Sequence, residues 1–88
     1  MTSLKRIEQE RIDKVVNAFA VEMKAKLFEC VDKGKTGWDN KFDLPDNSIL
    51  QKIQEKITVK NPETQCIDIA NYAMFLWYRK TIEDENVT

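Results

Sequence analysis

Three segments with apolar residues at helical spacing run along the chain, divided by two stretches of turn-forming residues. In the first, Leu4, Ile7, Ile12, Val15, Val16, Phe19, Met23, Leu27, Cys30 and Val31 form a stripe, while Glu8, Glu10, Lys14, Glu22, Lys24 and Glu29 lie off it. That pattern predicts an amphipathic helix from about Leu4 to Asp32, capped by Ser3. Residues 33–45, KGKTGWDNKFDLP, hold both glycines and one of the prolines, which predicts a loop. A second helix is expected over about Asn47–Val59, with Asp46 as its cap. Ile49, Leu50, Ile53 and Ile57 would form a narrow stripe, with Lys52, Lys56 and Lys60 facing outward. Asn61-Pro62 is a helix opening. A third helix should therefore run from Pro62 to about Ile82, followed by a frayed acidic tail over 83–88. With no strand pattern and no repeat, residues 1–88 read as one all-α domain: a long N-terminal helix, a Gly/Trp loop and a C-terminal helical hairpin.

The third segment is unusual. From Cys66 to Tyr78 it reads CIDIANYAMFLWY, with Asp68 and Asn71 as its only strongly polar residues. A helix apolar nearly all round needs cover on several sides. Two partner helices with one stripe each cannot supply it, so the pattern predicts a homo-oligomer packed through this helix and the N-terminal half of the first; the alternative is a monomer whose Trp77 and Tyr78 stay partly exposed.

Composition narrows the class. With 42% apolar and 33% charged residues the chain is globular, and a formal net charge of −1 provides no field to attract nucleic-acid polymers or anionic membranes. No membrane-length apolar run and no signal-like apolar core occur, which predicts a cytoplasmic protein. Cys30 and Cys66 are expected as buried, reduced thiols. There is no histidine, so no His-based catalytic or zinc arrangement is available.

Candidate chemistry gathers in two places. Gly34-Lys35-Thr36 ends like a P-loop, but Glu29 stands where the first glycine belongs and no strand precedes it. Gly34 reads instead as the C-terminal stop of the first helix. Lys26, Lys33 and Lys35 can still gather phosphate around the loop, with Trp38 as a stacking face; alternatively Trp38 plugs the bundle and the lysines are solvated. On the third helix, Asp68 and Asn71 lie one turn apart beside Tyr72 and Phe75. They suit three roles: bonds within a subunit interface, part of a Mg²⁺ site, or contacts to a ligand packed on Tyr72 or Phe75. Arg79, one turn beyond Phe75, either neutralises the helix end or reaches a phosphate.

Together, Phe19-Ala20-x-x-Met23-x-x-Lys26-Leu27, Lys33-Gly34, Gly37-Trp38-Asp39 and Asp68-Ile69-Ala70-Asn71-Tyr72-Ala73-Met74 resemble small MazG-like proteins of phages and bacteria. These are similar to all-α nucleoside triphosphate pyrophosphohydrolases. The resemblance spans about 16–77 and implies an obligate helical oligomer that binds a nucleotide between subunits. In active members, E-E-x-x-E on one helix and E-x-x-D on the next hold Mg²⁺. Here the second pattern keeps Asp68, but Gln65 stands where its glutamate belongs, and only Glu55 survives on the second helix, among Lys56, Thr58 and Val59.

The expectation is therefore a non-catalytic nucleotide-binding oligomer with no catalytic residue, metal or cofactor. Its ligand contacts would come from Lys26, Lys33, Lys35, Trp38, Asp68, Asn71, Tyr72 and Arg79. A use consistent with the resemblance is a phage protein sequestering a nucleotide or cyclic-nucleotide defence signal. Two alternatives stand beside it: a reduced Mg²⁺-dependent (d)NTP pyrophosphohydrolase, and an interaction module for a host protein.

Overall fold

The computed structural model describes residues 3–40, 42 and 44–87, of which 84–87 are described by their backbone alone. Lys41 and Asp43 of the expected loop, and Thr88 of the expected tail, lie outside the described residues. The described residues form three α-helices and no strand: α1 (Leu4–Asp32), α2 (Asp46–Ile57) and α3 (Cys66–Val87), with a 3-10 turn over Pro62–Gln65 ahead of α3. Among them, no helix is long and apolar enough to cross a membrane.

The first helix begins and ends as its sequence predicts. Ser3 is in an extended conformation and its hydroxyl accepts from the Arg6 amide. At the other end Gly34 has φ +84°, its amide donates to Val31 O, and the Lys35 amide reaches back to Cys30 O. This pair of bonds satisfies two carbonyls that a helix end leaves open, and the left-handed residue between them has to be glycine-like.

The other boundaries depart from expectation. α2 starts one residue earlier, with Pro45 as N-cap, and ends at Ile57, where the Thr58 hydroxyl donates to Glu55 O. Asp46 is not a cap; its carboxylate is drawn away to Arg79. Asn61 makes no side-chain cap either, and Pro62–Gln65 is 3-10 rather than α. α3 continues to Val87 instead of fraying near Ile82, since no glycine or proline follows to stop it.

Little of this chain is buried. Among the described residues, Ile49 (0% exposed) and Phe75 (6%) are the only buried apolar side chains. α1 meets α3 through half-buried Ala20, Met23, Leu27 and Cys30, and buries no residue fully. Its N-terminal continuation, Ile12, Val16 and Phe19, stays exposed. So does a second apolar line on the far side of the helix, Ala18, Val21, Ala25 and Phe28, with Phe28 at 65%. On α3 the outer face carries Cys66, Ala73 and Trp77, the last 67% exposed. Cys66 is thus an exposed thiol, not a buried one, because it sits half a turn away from the packed side of α3.

Candidate functional site

Where α1, α2, α3 and the loop meet, a cavity of about 370 Å³ opens. That volume lies in the range of small-molecule sites. α1 contributes Lys26, Leu27, Cys30 and Val31; the loop adds Lys35, Thr36, Trp38 and Leu44; α2 adds Lys52. From α3 come Asp68, Asn71, Tyr72 and Phe75, at i, i+3, i+4 and i+7, so one side of that helix forms a wall. Six of the eight residues expected to bind ligand therefore meet here: Lys26, Lys35, Trp38, Asp68, Asn71 and Tyr72.

The aromatic part of the wall is preassembled. Trp38 stacks on Phe75 with ring centres 5.0 Å apart and 28° between planes, and Tyr78 tilts against it at 5.3 Å. Tyr72 meets Phe75 edge-on at 5.9 Å. Trp38 thus packs on the α3 aromatics, the structural role expected as its alternative, and it also lines the cavity. It sits at the corner of a tight turn closed by the Asn40 amide on Gly37 O. Burial raises the Tyr72 phenol above its ordinary value, and the Asp68 charge adds to this against the opposing pull of Lys56 and Lys26. The phenol is protonated at neutral pH and can donate a hydrogen bond.

The two remaining candidates are engaged elsewhere. Lys33 lies outside the cavity, with its ammonium 2.9 Å from Glu29 Oε1 on the solvent face of α1. That hydrogen bond, reinforced by the opposite charges, holds Glu29 below the usual carboxylate value and lifts Lys33 above its own. Arg79 is 6% exposed and does not line the cavity. Its guanidinium donates to Trp38 O, Leu44 O (2.6 Å) and Asp46 Oδ1 (2.9 Å). It acts as a clamp between α3 and the loop rather than a phosphate ligand.

α2 corrects the sequence reading most. Lys52 is exposed, as expected, and also borders the cavity, whereas Lys56 turns inward: its ammonium lies 3.3 Å from Asp68 Oδ2 and 3.4 Å from Gln65 Oε1. The spacing explains it: Lys56 is seven residues after buried Ile49, on the packed stripe, and its long stem carries the charge to the carboxylate. Leu50 and Ile57, counted in that stripe by apolarity, are exposed instead.

The lysine pairing bears on the Mg²⁺ site that the resemblance implies. Glu55 is exposed and accepts from Gln51, away from the cavity. Glu22 and Glu29 share a shallower cavity of about 290 Å³ with Asp68 and Lys26. Even so, among the described residues no three His, Cys, Asp or Glu converge closely enough to hold a metal ion. With an ammonium already against Asp68, these residues do not fit a divalent cation carrying a polyphosphate.

What the cavity offers is an aromatic wall, two polar α3 residues and three lysines, Lys26, Lys35 and Lys52, for which no ion pair to a carboxylate occurs among the described residues. Comparison with protein-family models, curated proteins and solved structures finds no match.

Proposed function

We propose that this chain is a non-catalytic nucleotide-binding protein acting as a helical homo-oligomer, with a nucleotide or cyclic nucleotide in the cavity between α1, α2, α3 and the loop. The observation that carries this reading is the pairing of chemistries in one cleft: Lys26, Lys35 and Lys52 beside Trp38, Tyr72 and Phe75. A planar base gains from an aromatic wall and a phosphate from ammonium groups, so a ligand with both parts uses the whole site. The absence of turnover follows from Lys56, which supplies Asp68 with a counter-charge where a hydrolase would need a metal. Holding a nucleotide signal without consuming it would suit a phage protein that blunts a nucleotide-based host defence.

The oligomeric part rests on exposed surface. A compact chain of 10.3 kDa would expose about 5,400 Å² and have a radius of gyration of about 12 Å. This chain exposes 7320 Å² with a radius of 16.1 Å. The surplus, about 1,900 Å², is what one subunit of an obligate homo-oligomer buries. The apolar lines on α1 and the Trp77 face of α3 are where that surface lies, and a second copy is the occupant that the surplus fits.

The test is a thermal-shift screen of mononucleotides, cyclic di- and trinucleotides and NAD-derived molecules, with and without Mg²⁺. A ligand at about 100 times its Kd adds roughly 2.7 kcal/mol. A stabilising nucleotide, independent of Mg²⁺ and recovered intact, is expected. No stabilisation by any member would refute the reading, and pyrophosphate release would replace it with the hydrolase.

A further inference from the structure

On the side of α1 turned away from α3, Lys14, Ala18, Val21, Ala25, Phe28 and Asp32 follow one another at alternating steps of four and three. Met23 and Leu27, which pack toward α3, lie on the opposite side of the same helix. All six residues of the outer line are exposed, Val21 at 63% and Phe28 at 65%. Steps of four and three make the seam of a coiled coil, so the line is shaped to receive another long helix. The chain has none to spare: among the described residues α1 packs against α3 and makes no contact with α2.

The order of residues along the line selects the partner and its direction. Turned about a two-fold axis close to residue 23, the line is complementary to itself. Ala18 then falls opposite Phe28, Val21 opposite Ala25, and Lys14 opposite Asp32. Each larger apolar side chain meets an alanine, and the end layers pair opposite charges. Neither Lys14 nor Asp32 has an ion-pair partner among the described residues, so both charges are available. A parallel pair would instead set Lys14 on Lys14 and Asp32 on Asp32. An antiparallel pair one heptad out of register would set Lys14 against Ala25 and Asp32 against Ile7.

We propose that α1 pairs antiparallel with α1 of a second copy in this register, covering Val21 and Phe28 and joining Lys14 of each chain to Asp32 of the other. The inference rests on the homo-oligomer reading above and deepens it by naming the face, the direction and the register. It does not depend on a ligand in the cavity. A two-fold pair uses the same patch on both chains, and the surplus of about 1,900 Å² exposed by this chain leaves room for it.

Sedimentation equilibrium on the full chain tests the charges. Lys14→Glu or Asp32→Lys places two like-charge pairs in each dimer and should weaken self-association about fivefold or more. The double variant carries both reversals, restores opposite charges in both end layers, and should return to within about threefold of the wild type. Close to the axis the same register brings Glu22 beside the Glu22 of the other chain, so Glu22→Gln should tighten the dimer.

Cross-linking tests the register without relying on charge. In a Cys30→Ala, Cys66→Ser background, Val21→Cys and Ala25→Cys chains are mixed and oxidised. The mixed disulfide between positions 21 and 25 should form ahead of either symmetric one. A wild type that self-associates, with no recovery in the double variant and with symmetric disulfides favoured, would overturn this register and leave the homo-oligomer reading standing. A monomeric wild type would overturn both.

Discussion

Arg79 and Trp38 stand 41 residues apart in sequence, and the buried guanidinium of the first donates through Nε to the main-chain carbonyl of the second at 3.1 Å. One turn earlier on α3, Phe75 stacks on the Trp38 ring. A single helix face thus holds both the backbone and the side chain of the loop residue that closes one side of the cavity. The clamp extends to Leu44 O and Asp46 Oδ1, so the last turn of the loop and the start of α2 are tied to the same cation.

Removing the clamp should be costly. Arg79→Met keeps the apolar stem and leaves Trp38 O and Leu44 O without their donor. Partly buried acceptors that lose a charged donor cost about 2–4 kcal/mol together. Denaturant unfolding of the variant should show that loss, and a change below about 0.5 kcal/mol would mean that the loop is held by its own turns.

How far these features were visible in the sequence depends on whether they are local. Ser3 and Gly34 act within one turn of themselves, and their capping roles are readable from residue type alone. The α3 wall was also legible, because Asp68, Asn71, Tyr72 and Phe75 share one side of any helix drawn through them. Arg79 and Lys56 were not. A cation near a helix end reads as dipole compensation, and only folding brings Leu44, Asp46 and the Trp38 carbonyl beneath Arg79. Lys56 does carry a signal, its seven-residue spacing from Ile49, but a charged residue type at that position points outward by composition alone.

The lysines give a comparison within one cluster. Lys35→Ala and Lys26→Ala should each weaken nucleotide binding about five- to tenfold, roughly the 1 kcal/mol of a partly solvated charge contact, and reduce its salt dependence. Lys33→Ala, whose ammonium faces Glu29 outside the cavity, should change affinity less than twofold. Titrations at two ionic strengths check both, and equal losses at Lys33 and Lys35 would move the phosphate contacts out onto the loop.

Assembly is testable on the far side of α1. Phe28 and Val21 are exposed in the single chain and touch no part of the cavity. Light scattering should show a homo-oligomer for the wild type, and a smaller species or a loss of stability for Phe28→Glu and for Val21→Glu. A monomeric wild type would leave these faces for another protein, and the interaction-module reading would gain.

The raised pKa of Tyr72 has a signed consequence. Near pH 10 the unfolded chain releases this proton before the folded one does. Stability contributed by the protonated phenol is therefore complete below pH 10 and falls as pH rises toward the folded value. Tyr72→Phe should flatten that part of the alkaline limb, and ultraviolet difference titration against the wild type should place the Tyr72 midpoint above 10. A midpoint at or below 10 would show the ring to be solvated.

The two tryptophans allow the most direct test of a ligand in the cavity, since Trp38 lines it and Trp77 lies on the outer face of α3. With fluorotryptophan incorporated, the ¹⁹F spectrum carries one resonance for each, assigned by Trp77→Phe. On titration with the best nucleotide of the thermal-shift screen, the Trp38 resonance should shift and saturate at the calorimetric Kd while Trp77 stays in place. A Trp38 resonance that does not move at saturating nucleotide, or a shift confined to Trp77, would contradict binding in this cavity.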